Sequence, residues 1–532
     1  MPTVTEVLSK AEQVIGVFEA TLDNTAKGAF GYEDMCGGTV PLASLDHSLN
    51  VVSNAAVTLT CGQAYNSNGS DVITTGLFHT RSLSDNFKGG AVKTVSDIQL
   101  DYDASPDNLH FRNFRHKRFT YKIGGKIDGV ETRYADYPTY LTGTTSGRRH
   151  NDRGMSVSLS TNSPNLEKPF PTNKYTSGEA EGEAIPFVIG HVKNMKPIDL
   201  GSGLYQFHDG AVMACDITDI KAYDNGAELT KVAGDPSTQT PLTGEFMADT
   251  LGFVKVLDSD DVNLTLQVEG AVLEHEPSTT SSTYSDVISM ARTIVDLATD
   301  SRVTTTHKSQ TVNYDFTGSI NYSTDKNAGY VFLEQKPVKN HLNEILSSAD
   351  CFYSSNDDDD NIEIKYRYNG LPNDRDDDAN TTTSFTLTES DISNVSCNDA
   401  TYRPSVTHIF YNKNWGVVTG DNIDSTNRIL VRKEFDITSK DHPEADGKPQ
   451  RVYSVLVDET AAQQLATHAN ARDGGRNEYY KMRIQGIGHG LEVGDVGSLS
   501  HRLIQSSRLS EIRKIKINTM TKTTDLEVML YG

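Results

Sequence analysis

The chain is poor in apolar residues, which make up 36% of its 532 positions, against ~45–50% in ordinary soluble domains. No apolar run approaches the ~20 residues needed to cross a bilayer, so no membrane span is expected. The N-terminus, Met1-Pro2-Thr3-Val4-Thr5-Glu6, has neither a basic stretch nor an apolar core and does not read as a signal peptide. Cysteine is scarce. Cys36, Cys61, Cys215, Cys351 and Cys397 are odd in number, widely spaced and without a C-x-x-C pair. Neither a zinc site nor a disulfide framework is indicated, and the thiols read as reduced and mostly buried in a protein assembled in a cytoplasm. Long helical heptads are missing, and so are G-x-S-x-G, H-E-x-x-H and the P-loop, the motifs that would announce familiar catalytic chemistry. Gly486-Ile487-Gly488-His489-Gly490 is rich in glycine but lacks the Rossmann spacing and order of elements, and reads as a turn.

Basic residues are the minority, 49 against 72 acidic, for a formal net charge of −23. Tight nucleic-acid binding rests on cations that neutralise phosphates, so this balance argues against it. The excess is either a solvated acidic surface or an acidic lumen along which DNA slides without sticking. One stretch runs against the trend: Phe111-Arg112-Asn113-Phe114-Arg115-His116-Lys117-Arg118-Phe119 interleaves aromatics with cations. Such a pattern can stack on bases, but in so acidic a chain a structural or subunit-contact role is favoured.

Threonine, serine, asparagine, aspartate and glycine are abundant, the profile of a turn-rich β protein. The expected fold is mainly β (α+β), several β-barrel or β-sandwich domains with short helices. The length implies roughly three or four domains on a ~150-residue prior, and the composition divides into five segments. Residues 1–165 form an N-terminal β-rich domain and 166–278 a β-rich domain with hairpins. Residues 279–360 form an α+β domain, 361–450 a β-rich domain, and 451–532 a helix with a C-terminal β-barrel. Val14–Phe18, Asn50–Val52 and Ala56–Thr60 read as strands, while Asn66–Ser70 and Thr144–Gly147 read as loops. Asp209-Gly210 and Asn225-Gly226 are hairpin signals, because both residues of each pair tolerate positive φ. Glu276–Tyr284 reads as a linker. A helix should begin at Ser285 or Asp286 and bury Val287, Ile288, Ala291, Ile294, Val295 and Ala298.

The C-terminal third is the most ordered in pattern. A helix over Val338–Ser348 puts Val338, Leu342, Ile345 and Leu346 on one face. In the strand Asn361–Tyr368, Ile362, Ile364, Tyr366 and Tyr368 oppose Glu363, Lys365 and Arg367. A helix from about Asp458 to Arg472 buries Ala462, Leu465, Ala466 and Ala469. Leu491-Glu492-Val493-Gly494-Asp495-Val496 follows, and a hairpin of Ile512–Ile517 and Asp525–Leu530 should close a small barrel. The acidic clusters Asp357–Asp360 and Asp374–Asp378 lack the EF-hand pattern and read as solvated loop tips, with calcium binding left open.

From about residue 176 onward this order of parts resembles the tail hub and tail-tip (baseplate hub) proteins of tailed bacteriophages. "IPFVIGHVKNMKPIDL", "LYQFHDGAV", "ITDIKAYDNGAEL" and "TGEFMADTLG" are similar to a segment of that family. Tyr205, His208, Asp209 and Gly210 fall on its Tyr-x-x-His-Asp-Gly stretch, and Tyr223, Asn225 and Gly226 on its Tyr-x-Asn-Gly turn. Further matches are the helix–strand pair around residue 350, Ile392 within "TESDISNVS", the Val406–Asn412 strand, and the final helix, G-D-V turn and hairpin. The first 160 residues match nothing residue by residue. His208 beside Asp209 invites a catalytic reading, but no nucleophile motif accompanies it, and a turn-stabilising pair is the expected role. The resemblance implies a structural virion protein with no catalytic residue and no cofactor. It implies a homotrimer at the distal end of the tail tube, adapting the sixfold tube to threefold tip or fibre proteins and gating DNA ejection. Its partners would be tail tube, distal tail, tape measure and fibre or spike proteins. Genomic DNA would pass through the lumen without specific binding. The expected place is the virion tail, after assembly in the host cytoplasm. Alternatives are a tip adhesin for host surface glycans, which a glycan array would reveal, and a cell-wall hydrolase, for which zymography would show clearing.

Overall fold

The computed structural model describes residues 2–22, 57–62, 78–82, 91–101, 117–131, 136–151, 154–161, 166–257, 262–270, 287–298, 312–314, 328–355, 362–367, 385–399, 407–413, 415, 431–433, 450–473, 478–485, 491–504, 509–519 and 522–530. The fold is mainly β with short helices. The expected strand at 50–52, the loop at 66–70, the linker, residues 111–116, both acidic clusters and the glycine-rich 486–490 lie outside the described residues.

The first sheet opens from a short helix, Val4–Lys10. Thr3 caps it: its Oγ1 accepts the Glu6 N–H at 3.2 Å, and its own N–H donates to Glu6 Oε2 at 2.9 Å, a reciprocal pair that satisfies two orphan donors. Ala11–Leu22 follows and lies between Val57–Gly62 and Arg118–Ile127, antiparallel to both. The sheet continues through Thr139–Asn151 and Gly154–Thr161 to Ile98–Asp101. Of the basic aromatic stretch, Phe119 is buried and Arg118 exposed, side by side on one strand. The expected loop at Thr144–Gly147 is instead strand. Thr144 and Thr145 pair with Ser160 and Leu159, and the register slips between Thr145 and Gly147. Threonine suits a strand, and the Ser-Gly signal marks a bulge within the ladder, not its end.

The centre is built on Phe187–Met195. This strand pairs with Leu264–Glu269 on one side and Gly329–Phe332 on the other, and both of its faces are buried. Period-two alternation splits its side chains between two cores. Val188, Val192 and Met195 join a core with Phe207, Phe246, Val254, Leu266 and Val331. Phe187 and Ile189 join another with Phe170, Phe332 and the helices Val287–Ala298, Val338–Ser347 and Glu459–Asp473. The first core is closed by a second five-stranded sheet of Ile198–Asp199, Leu204–Gln206, Phe253–Val256, Glu245–Ala248 and Thr230–Lys231. The helices bury residues expected from their spacing: Val287, Ala291, Ile294 and Val295 on one, Val338, Leu342, Ile345 and Leu346 on the next, Ala462, Leu465, Ala466 and Ala469 on the last; the side chains expected at Ile288 and Ala298 lie outside those described. Asp458 caps the last helix, its Oδ2 accepting the Ala461 N–H at 2.9 Å.

The second core is covered on its far side by a three-stranded sheet in which Thr407–Tyr411 is central, between Val431–Lys433 and Gln450–Tyr453. Trp415, the single tryptophan, packs against both cores. The strand at 362–366 pairs with Cys351–Ser355 and Val312–Tyr314. It stops at Tyr366, one residue before Arg367 could join the expected polar face. Arg367 is fully buried. Its N–H donates to the Asp350 carbonyl at 3.0 Å, and its guanidinium lies 5.7 Å from the centre of the Phe352 ring, a cation–π contact.

The C-terminal sheet runs Phe385–Thr388, Val496–Ser500, Leu509–Asn518, Thr523–Leu530, Glu478–Gln485, Ile392–Asp399. Its two edge strands are consecutive in sequence, joined only by residues 389–391, where the Asp391 carboxylate accepts the Thr388 N–H at 2.8 Å and its Oγ1 at 2.7 Å. Three extended residues reach about 10 Å, so the sheet has to curl back on itself, and it forms a half-barrel around Leu499, Ile512, Ile515, Leu526 and Val528. The closing hairpin forms in the expected strands. A bulge at residue 513 returns Ile512, Ile515 and Ile517 to one face. The strand Phe78–Ser82 adds to the free half of Leu509–Asn518, so the first and last segments of the chain share a sheet.

Candidate functional site

Of the residues that carry the sequence resemblance, Tyr205, His208 and Asp209 lie where the two central sheets meet. Tyr205 is buried in the first core. His208 is fully buried. Its Nδ1 accepts the Val188 N–H at 3.1 Å, and its Nε2 lies 2.6 Å from the Met213 carbonyl. A carbonyl can only accept, so Nε2 carries the proton and the ring is the neutral Nε2–H tautomer. Burial lowers its pKa to about 4, against a smaller opposing pull from the Met213 carbonyl. The ring leans on Phe187, centroids 4.7 Å apart. Both nitrogens are thereby committed to main chain, which leaves none for Asp209 or for a nucleophile.

Asp209 points elsewhere. It is 2% exposed, and its Oδ2 accepts the Asn173 Nδ2–H at 2.8 Å. The expected hairpin at Asp209-Gly210 does not form. Neither residue has positive φ, and the Leu204–Gln206 strand pairs with Ile198–Asp199 and Phe253–Val256. The Asp209 carbonyl instead accepts the Val212 N–H at 3.1 Å in a turn, and the Gly210 N–H donates to Leu251 at 3.1 Å. The Asn225-Gly226 hairpin does form. Both residues are left-handed, at φ 50° and 86°, and Asp224 pairs with Ala227 and Tyr223 with Glu228, as a type I′ turn requires.

Reactive groups nearby are muted. The buried Cys215 thiol is 3.5 Å from the Thr250 carbonyl and is pushed up to about 12, first by burial and then by the Asp249 charge, so it is no nucleophile at neutral pH. Cys351 is also buried, whereas Cys397 is exposed. No cluster of three metal-ligating side chains occurs among the described residues, and no helix in them is long and apolar enough to cross a membrane.

Two features were not legible in the sequence. The Tyr330 hydroxyl donates to Glu344 Oε2 at 2.6 Å and lies 3.2 Å from His341 Nδ1, while His341 Nε2 donates to the Phe170 carbonyl at 3.1 Å. This network ties the 166–170 segment to the Val338–Ser347 helix. His341 and Glu344 share a helix face by spacing, but nothing in the sequence points to Tyr330 or Phe170. The other feature is a recess of ≈ 660 Å³ above Asp209, walled by Asn173, Tyr175, Leu251 and Phe253. A second recess, ≈ 640 Å³, lies over His191, Lys221, Glu228 and Glu269. In it Lys221 pairs with Glu228 at 3.3 Å, and His191 Nδ1 lies 3.8 Å from Glu269 Oε1. The site as a whole is a main-chain junction around His208 with a recess of mixed polar and apolar lining beside it.

No protein-family model and no curated protein matches the chain. Among solved structures, the 43 kDa tail protein of prophage MuSo2 from Shewanella oneidensis aligns at 9% identity and TM-score 0.39, over 85% of this chain and 92% of that one. A tail protein from Neisseria meningitidis MC58 aligns at 9% identity and TM-score 0.40, over 90% and 94%. A chain of the native gene transfer agent virion aligns at 12% identity and TM-score 0.41, over 70% and 89%. At these scores the likenesses carry no argument about what this chain does.

Proposed function

We propose that the chain is a non-enzymatic structural protein of a phage tail, a hub or tip component at the distal end of the tail tube. The observation that carries this reading is the order of parts from Tyr205 to Leu530. A His-Asp-Gly turn, an Asn-Gly hairpin, helix–strand pairs and a helix leading into a terminal half-barrel follow one another as in the hub resemblance. His208 in this setting serves main-chain architecture, which suits a building block. In the proposed assembly three copies form a ring that adapts a sixfold tube to threefold fibre or spike proteins and holds the channel shut until host contact. The charge of −23 suits a lumen that lets DNA pass without binding, and a closed threefold ring is a common symmetric solution.

Light scattering on the purified chain with negative-stain imaging tests this. A threefold ring of about three times 58.3 kDa is expected. A monomer that recognises glycans on an array would replace the hub reading with the adhesin one.

A further inference from the structure

The recess above Asp209 holds an unbalanced charge. Asn173 and Tyr175 reach it from a narrow loop pinned by the Tyr175 N–H to the Glu183 carbonyl at 3.0 Å and the Ile185 N–H to the Asn173 carbonyl at 3.0 Å. Asp209 comes from the turn on the opposite side, fixed by the neighbouring His208 anchor. The carboxylate is 2% exposed, accepts one amide hydrogen bond on Oδ2, and forms no ion pair among the described residues. Lys174 lines the same recess without pairing with it. Buried carboxylates are ordinarily matched by a cation, because desolvation is costly when only neutral donors compensate. The field in the recess is negative: after burial, the charges of Asp209 and Glu183 push the Tyr175 phenol up. That phenol's oxygen is buried and has no hydrogen-bond partner among the described residues. The walls, Leu251 and Phe253 with the Tyr175 ring, are apolar and would sheath an aliphatic stem. At ≈ 660 Å³ the space falls within the range of small-ligand sites.

We propose that this recess takes a lysine or arginine side chain presented by a partner polypeptide, with Asp209 as its counter-charge. The stem lies along Leu251 and Phe253, and the charged head meets Asp209 Oδ1, with Asn173 holding the other carboxylate oxygen in place. The negative chain as a whole favours approach by a basic partner. The recess would act this way in a tail hub or in any other assembly, so its failure would leave the hub reading untouched.

The test titrates the full chain with N-acetyl-L-lysine methylamide and, separately, with the uncharged N-acetyl-L-norleucine methylamide, read by saturation-transfer NMR. A dissociation constant of about 1 mM is expected for the lysine probe, the scale of a single anchored side chain. Asp209→Asn keeps the shape of the acceptor and should weaken the lysine probe at least about tenfold. Leu251→Trp leaves Asp209 and Asn173 in place and should block the probe by filling the mouth, which keeps the test valid if Asp209→Asn fails to fold. Equal binding of the two probes, undiminished binding in both variants, or no saturable binding of the lysine probe would overturn the proposal.

Discussion

The main-chain N–H of Val188 donates to Nδ1 of His208 at 3.1 Å, joining the strand that feeds both central cores to the turn that carries Asp209. This bond requires a bare Nδ1, and the Met213 carbonyl at 2.6 Å requires a hydrogen on Nε2, so only the neutral ring fits. The folded pKa is lowered to about 4 by burial, against about 6.5 in an unfolded chain. The stabilisation is therefore complete above about pH 6.5 and is lost as pH falls toward about 4, because the unfolded state takes up the proton first. The gap is worth about 3 kcal/mol. Urea unfolding at pH 7 and pH 4.5 should show a loss in the native chain that is smaller by about 2 kcal/mol in His208→Gln. Equal losses in the two proteins would refute the assignment.

Two glycines with positive φ should respond differently to alanine. At Gly226, φ 86°, an added Cβ meets nothing within 4 Å, so the cost is the left-handed backbone alone, about 1–2 kcal/mol. At Gly190, φ 69°, the same carbon would fall 2.2 Å from the Ala328 carbonyl oxygen and force apart the strands at 187–195 and 329–332. Gly190→Ala should cost at least about 3 kcal/mol. Urea midpoints of the two variants check the contrast.

Phe332 sits where the helices meet the shared strand pair. Its ring lies 4.9 Å from Phe170, 4.7 Å from Tyr330 and 4.7 Å from His341. Phe332→Ala should lose about 3–5 kcal/mol. Trp415 stacks edge-on against Tyr330 at 5.3 Å, so its fluorescence, unique in the chain, reports that junction directly. A red-shifted emission and a lower urea midpoint are expected together.

In the half-barrel, Arg513 Nε lies 2.9 Å from Glu511 Oε2, with side-chain exposures of 5% and 0%. Removing one partner breaks this buried charge pair. Arg513→Met should therefore destabilise by about 3–5 kcal/mol, whereas the double change Arg513→Met with Glu511→Leu should recover most of it. A double-mutant cycle measured by urea unfolding gives the coupling. A double variant no better than the single one would show that the cost is packing and not charge.

Periodic segments were readable from the sequence because a helix or strand face imposes its spacing whatever it packs against. The Val338–Ser347 and Glu459–Asp473 helices and the terminal hairpin are of this kind. Local turn chemistry was readable only in part. Asn225-Gly226 makes its hairpin because the flanking strands pair with each other. Asp209-Gly210 does not, because Leu204–Gln206 finds its partners elsewhere in the chain. The same limit applied to Arg367, whose strand ended before it at Tyr366, and to Thr144–Gly147, where a turn-like dipeptide became a bulge.

The sequence by itself determined the class of fold, the buried faces of its helices and strands, and the acidic balance of the whole, since these depend on composition and on spacing along the chain. Only the tertiary structure decided where the two polar groups at 208 and 209 point. One is neutral and bound on both sides to main chain from Val188 and Met213, the other buried beside Asn173 under an open recess. Adjacent residues acquire opposite environments because strand pairing between segments far apart in sequence, not the residues' own chemistry, sets what each side chain faces.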